Sequence, residues 1–204
     1  MKRVIWTWAI FVLSGCATVP ENHYFTLSYS LLDQHRQQQG TGLSLRLRSF
    51  DIGPAYDTER LVYRYSPYEF QYYNFMLWAT KPQKMIGDLV IRHLRHSGLF
   101  AQVGMEFSEQ PPHLELSGEI VAMEELDSGD EWYAHLALNL WLRAYRSEKI
   151  IWSKAIDVKK RVYNKSPVYV VKALSEILES EMQQVCKEMA SALANFPQSR
   201  EEGL

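Results

Sequence analysis

Regular alternation of leucine with polar residues identifies the strands of this chain. In the segment 43–47 every second residue is leucine, with serine and arginine between, and a period of two is typical of a strand with one buried face. Similar periodicity, or a short apolar run bounded by glycine or proline, recurs further along the chain. These patterns predict strands at 24–30, 43–52, 61–65, 68–78, 100–107, 113–126, 132–146 and 150–158.

A first helix is predicted from about residue 80 to residue 97, where the apolar residues follow helical spacing. The preceding sequence fits a capping box, in which Thr80 and Gln83 satisfy free backbone N–H groups. Gly98 is the expected terminating glycine. The predicted apolar face consists of Ile86, Leu89, Val90, His93 and Leu94.

A second helix is predicted to begin with Ser166 as its cap and Pro167 at its first position, and to end at residues 196–197. Its apolar stripe consists of Val171, Leu174, Leu178, Met182, Val185, Met189 and Leu193. Two amphipathic helices on one face of a mostly antiparallel sheet would bury that face. The predicted fold class is therefore α/β (α+β), as one domain over residues 24–197 with a polar tail at 198–204.

The N-terminal segment predicts export. Lys2 and Arg3 precede an apolar run at 4–13 that is too short to cross a bilayer, as in a secretory signal peptide. The signal would cover residues 1–15. It ends in Leu-Ser-Gly-Cys, which resembles the lipobox of bacterial lipoproteins. That resemblance implies cleavage before Cys16 and acylation of its thiol, with residues 16–23 as a lipidated tether.

Ala17, the residue beside the acylated cysteine, bears on which membrane holds the protein. In enteric-type bacteria an aspartate at this position usually retains lipoproteins in the inner membrane. By resemblance to that sorting rule, Ala17 implies anchoring in the outer membrane, facing the periplasm. Several acyl chains bury far more CH₂ groups than the single chain that gives marginal binding, so we expect the anchor to be permanent.

Charge and motifs exclude several functions. The formal net charge is −2, and without Lys2 and Arg3 it becomes −4, which does not favour a nucleic-acid partner. The chain has no Gly-x-Ser-x-Gly, His-Glu-x-x-His, Walker or Rossmann pattern. We therefore expect neither catalysis nor a cofactor.

Three groups of polar residues resemble possible sites, but each favours a structural interpretation. His93 and His96 have a spacing that can bind metal, but histidines at helix C-termini are common without it. Cys186 would be a free, partly buried thiol within the second helix. An acidic cluster is predicted to be a solvated hairpin tip, because it lacks the ordered ligands of a calcium loop; it comprises Glu124, Glu125, Asp127, Asp130 and Glu131.

The segment 61–78 contains eight aromatic residues. If it forms alternating strands, some of these rings face the core and others face outward. Exposed aromatic residues interleaved with Arg64 and Glu69 have the composition of an interface hot spot. Packing of all the rings beneath the helices is the competing interpretation, and both can hold on opposite faces.

Several motifs in order resemble the family of ABC-type transport auxiliary lipoproteins. The most specific is Tyr-Arg-x-Ser-Pro-Tyr-Glu at 63–69, and Gly53-Pro54 is also in place. Further segments that fit are 50–56, 72–73, 78–79, 97–100 with Val103, and 116–120.

The family resemblance implies an α/β fold and a function that spacing alone does not show. Such lipoproteins accompany transporters with MCE (mammalian cell entry) domains, such as the Pqi type, which are thought to move lipids or other hydrophobic molecules between the two membranes. The resemblance implies lipid anchoring at Cys16. It also suggests a partner-binding surface around Tyr63, Arg64, Ser66, Pro67, Tyr68, Glu69, Tyr72, Tyr73 and Trp78.

Other functions stay open at this point. The protein could be a periplasmic lipid-binding carrier, or an assembly or bracing lipoprotein of the outer membrane, and exposed aromatic residues make a homo-oligomer plausible. If the aromatic segment binds a partner, Arg64→Ala and Tyr68→Ala should weaken capture while leaving the melting temperature nearly unchanged.

Overall fold

The computed structural model describes residues 20–31, 40–147, 149–194 and 196. The predicted signal peptide, Cys16 and the tail at 198–204 lie outside these residues, as does most of the predicted loop at 33–42. The elements in chain order are β1 (His23–Phe25), β2 (Ser44–Leu47), β3 (Asp51–Ile52), β4 (Arg60–Ser66), β5 (Glu69–Trp78), α1 (Pro82–Ser97), β6 (Gln102–Gly104), β7 (Leu114–Asp127), β8 (Trp132–Ala144), β9 (Ile150–Val162) and α2 (Pro167–Leu193).

The sheet is built around β7. On one side, β7 pairs with β8 in antiparallel fashion from Leu114 to Asp127, and β8 pairs likewise with β9. Along its other side β7 receives β2, β3 and β4 in succession, each in parallel. Strand β6 adds to β2, and β5 and then β1 add to β4. The predicted α+β class and the antiparallel meander are confirmed, and the sheet as a whole is mixed.

Both helices contribute to a single core on one face of this sheet. The leucines of β8 at 136, 138, 140 and 142 are fully buried there, as alternation predicts. The predicted stripe of α2 is buried against them. None of the helices among the described residues has the length and apolar character that a membrane span requires.

The helix termini agree only in part with the predicted caps. Gly98 has φ 69° and closes α1, as predicted. The capping box at Thr80 is wrong: the N-cap is Lys81, and its side chain makes no capping bond. Pro82 occupies the first turn, where its fixed φ suits the helix start. Gln83 instead donates to Asp57 at 3.1 Å. Ser166 is the N-cap of α2, although its hydroxyl makes no capping bond.

The predicted strand at 43–52 is interrupted between β2 and β3. Phe50 turns inward there and is 3% exposed. Its ring lies against the backbone of Gly118 in β7, where a Cβ atom would stand only 2.0 Å from the nearest ring carbon. Phe50 and Gly118 belong to separate sequence motifs that this contact joins.

Candidate functional site

The aromatic segment forms a β-hairpin at one end of the sheet. Strands β4 and β5 pair from Arg60 to Ser66 and are joined by a turn at residues 67–68. The register of β4 on β7 and of β7 on β8 places this turn at the same end as the β7–β8 turn. Tyr68 is 93% exposed and Tyr65 is 60% exposed. The hairpin therefore presents rings to solvent.

The predicted binding residues divide into three groups by burial. Trp78 is 3% exposed and belongs to the core beneath the helices, so it cannot contact a partner directly. The half-buried members are Tyr63, Arg64, Ser66 and Tyr73. The exposed members are Pro67, Tyr68, Glu69 and Tyr72.

Sequence reasoning missed several exposed aromatic residues of the same region. Tyr65, Phe70 and Phe75 of the hairpin and Tyr24 of β1 are 37% exposed or more. Alternation within β4 and β5 could have indicated that neighbouring rings face different sides. The family motif directed attention to other positions.

Arg64 ties the hairpin turn to the sheet. Its guanidinium donates to the carbonyl oxygens of Ser66 at 3.3 Å and Pro67 at 2.5 Å. It lies 4.6 Å from the ring centroid of Phe70, within range of a cation–π contact. Its Nη1 is 3.5 Å from Oε1 of Glu124, and the Arg64 side chain is only 16% exposed. Arg64 therefore shapes the turn.

Glu124 is the centre of a polar network on the sheet face opposite the helices. Tyr56 donates to one carboxylate oxygen at 2.6 Å. His135 bridges the other oxygen and Asp157, with both distances 2.9 Å. Burial alone would raise the pKa of Glu124, but the bonds from His135 and Tyr56 and the charge of Arg64 hold that pKa below its ordinary value.

The next residue, Glu125, faces the helix side and has a different environment. Tyr73 donates to both of its carboxylate oxygens at 3.1 Å, and no ion pair is found for it among the described residues. Burial, aided by the charge of Asp127, raises the pKa of Glu125 from 4.5 to about 7 despite the bond from Tyr73. The predicted solvated tip is wrong for Glu124 and Glu125, which are 2% and 3% exposed, because the β7–β8 ladder extends past them.

The amino-acid sequence matches a known protein family. The sequence model of the ABC-type transport auxiliary lipoprotein component matches residues 25–186. The chain belongs to this family. The match includes the hairpin, Glu124, Glu125 and most of α2, and it confirms the resemblance inferred from the sequence motifs.

Solved structures show that the fold is shared at low sequence identity. A protein from Xanthomonas campestris is 18% identical with a TM-score of 0.73, covering 87% of this chain and 100% of that one. A hypothetical protein from Chlamydia trachomatis is 9% identical with a TM-score of 0.55, covering 74% and 98% of the two chains. No protein of curated function matches by sequence.

In this auxiliary lipoprotein, Arg64→Ala should destabilise the fold, contrary to the expectation from sequence. The substitution leaves two turn carbonyls without their donor and the buried Glu124 without its cation. We expect a loss of about 2 kcal/mol in the free energy of unfolding, measured by urea denaturation. The free energy of unfolding of Arg64→Lys should lie between those of the native protein and Arg64→Ala, because an ammonium group cannot reproduce the planar fork of the guanidinium. An unchanged free energy for Arg64→Ala would contradict this role.

The space beneath the N-terminal half of α2 bears on lipid binding. A cavity there, lined by Leu61, Tyr73, Leu174 and the carboxylates of Glu124 and Glu125, among others, holds about 10 Å³, whereas ligand pockets are typically at least about 300 Å³. A cleft of about 570 Å³ lies at the loop 106–112, but charged side chains including Arg46, Glu106 and Glu109 line it. Neither space has the form of an acyl-chain site.

The other polar residues considered as sites, His93 and Cys186, are buried within the fold. His93 is 1% exposed, lies 3.2 Å from the hydroxyl of Tyr29, and has its pKa lowered to about 4 by burial and then by His96. Cys186 is a free thiol within α2, as predicted, but it is fully rather than partly buried, and burial raises its pKa to about 11. Within the described ranges, no three His, Cys, Asp or Glu side chains form a group that could hold a metal ion.

Proposed function

We propose that this protein is a non-catalytic, lipid-anchored accessory of an ABC transport system. It is held in the outer membrane by acylated Cys16, faces the periplasm and docks the system's MCE-domain protein. The system moves lipids or other hydrophobic molecules between the inner and outer membranes. Membership of the auxiliary lipoprotein family supports the association with a transporter, and the lipobox and Ala17 support the anchor and its location.

The observation that carries the docking role is the exposure of the hairpin turn. Tyr68 lies within the most specific family motif and is 93% exposed. No side-chain bond of Tyr68 to another element is found among the described residues, so the fold gains little from its ring. An exposed aromatic side chain on a turn that Arg64 fastens to the sheet is suited to an interface anchor. Docking involves Tyr68 with its exposed neighbours Pro67, Glu69 and Tyr72, while Tyr63, Arg64, Ser66, Tyr73 and Trp78 support the hairpin.

Tyr68→Ser should weaken partner capture without affecting stability. We expect recovery of the transporter component by crosslinking from intact envelope to fall about tenfold, the effect of losing a modest hot spot, with an unchanged melting temperature. Tyr163→Ser is the matched control, because Tyr163 is 88% exposed but follows β9 outside the hairpin. Equal recovery with both variants would exclude the turn from the interface.

The lipid-carrier alternative is less well supported, because the cavity beneath the N-terminal half of α2 holds only about 10 Å³. An outer-membrane assembly or bracing role predicts a different partner in the same crosslinking experiment.

A further inference from the structure

The outer edge of β5 is mostly uncovered. Strand β5 has ten residues, and β1 pairs with it only at Met76, Leu77 and Trp78. Residues 20–22, which precede β1, are exposed and form no strand. Among the residues that the structure describes, no strand pairs with the outer edge from Glu69 to Phe75. About half of the backbone N–H and C=O groups in an antiparallel strand point away from its partner, so this edge presents free donors and acceptors.

This edge lacks the protection that natural sheet edges usually carry. Charged residues, especially lysine, and proline discourage strand pairing at an edge. Residues 69–75 contain one charged residue, Glu69, and neither lysine nor proline. The other long edge strand, β9, carries Lys154, Asp157 and the basic run 159–161. Charged residues therefore protect the edge of β9 against strand pairing, whereas the edge of β5 lacks them and is suited to pairing.

The properties of the edge define its occupant. A row of backbone donors and acceptors is satisfied by another extended backbone, which is the basis of recognition by strand addition. Phe70, Tyr72 and Phe75 flank the row and are 36–41% exposed, so they would contact apolar side chains of the added strand. Strand β1 already shows that this edge accepts a parallel strand where it is covered.

We infer that the edge of β5 from Glu69 to Phe75 binds an extended, largely uncharged segment of the transport partner as an added β-strand. This inference rests on the proposed function and specifies how its partner binds. The turn at Tyr68 lies at the end of the same edge, so both features belong to one continuous surface.

Photo-crosslinking in intact envelope tests the inference with the full lipidated protein. Benzoylphenylalanine replaces either Tyr72 or Asn74, and the crosslinked peptides are identified by mass spectrometry. We expect both positions to crosslink to one segment of a transport-system component, at sites two residues apart. That spacing follows from strand pairing, in which both strands advance by the same rise per residue.

A gatekeeper substitution provides the second measurement. Asn74 is exposed, so Asn74→Lys should leave stability unchanged and reduce crosslinking from position 72 at least tenfold. Ser153→Lys, on the already guarded edge of β9, should have no effect. Crosslinks to residues 16–19 of the same chain, to a second copy, to unrelated sites on the partner, or none at all would each overturn the inference. If the whole protein still captures the transporter in that case, the proposed function stands while the added strand fails.

Discussion

Gly118→Ala should lower the free energy of unfolding by about 3 kcal/mol, the upper part of the range for overpacking a core. The new methyl carbon would stand 2.0, 2.4 and 2.8 Å from three carbons of the Phe50 ring. Gly118 is in the middle of the β7–β8 ladder, paired with Leu140, so the backbone cannot move aside without breaking long pairings. The buried Phe50 ring must therefore be displaced.

Thermal and urea unfolding of a soluble version without the lipid anchor would measure this loss. The expected decrease in melting temperature is roughly 10 °C. Gly53→Ala is the matched control, since its added carbon would meet only Tyr56 at an ordinary 3.7 Å. Phe50→Leu in the Gly118→Ala background should cost less than it does alone, as contacting residues are coupled. Additive effects would mean that the two residues do not press against each other.

Glu125→Gln should stabilise the protein at pH 8 by about 3 kcal/mol. The native pKa of Glu125 is raised to about 7 from an ordinary value of 4.5, and each pKa unit corresponds to about 1.4 kcal/mol. Because the folded state holds the proton more tightly, the stability that protonated Glu125 contributes to the native protein is fully present below pH 4.5 and is lost as the pH rises through 7. Glutamine has no proton to lose and can still accept the Tyr73 hydroxyl.

The free energy of unfolding of both proteins between pH 4 and pH 8 checks this expectation. The variant and the native protein should differ little at pH 4 and diverge steadily above pH 4.5. Asp130→Asn is the control, because Asp130 lies in the exposed turn between β7 and β8. It should produce no such divergence. A constant difference across the range would show that Glu125 titrates normally in the folded protein.

The sequence predicts those elements whose local pattern decides their structure. The leucines of β8 and the stripe of α2 become buried because their periodicities match a strand and a helix. The parallel pairings of β2, β3 and β4 with β7 join residues far apart in the chain, and no local pattern carries that information. The break at Phe50 depends on space above Gly118, which lies on another strand.

In the candidate site, too, some features follow from the local sequence and others depend on contacts between distant segments. The aromatic segment is evident from its composition, but the burial of each ring depends on which face of the hairpin the ring occupies. Register shifts between Arg60 and Val62 and between Tyr63 and Ser66 change that assignment locally. Glu124 and Glu125 are the harder case, because carboxylates are rarely buried without partners. Their donors, Tyr56, His135 and Tyr73, come from separate strands and loops.

Crosslinking pull-down from intact envelope tests the central claim most directly, using the lipidated protein beside a Cys16→Ser variant. We expect recovery of an MCE-domain protein of an ABC transport system, lost or reduced without the anchor. Recovery of outer-membrane assembly proteins alone, or of lipid without a protein partner, would contradict it.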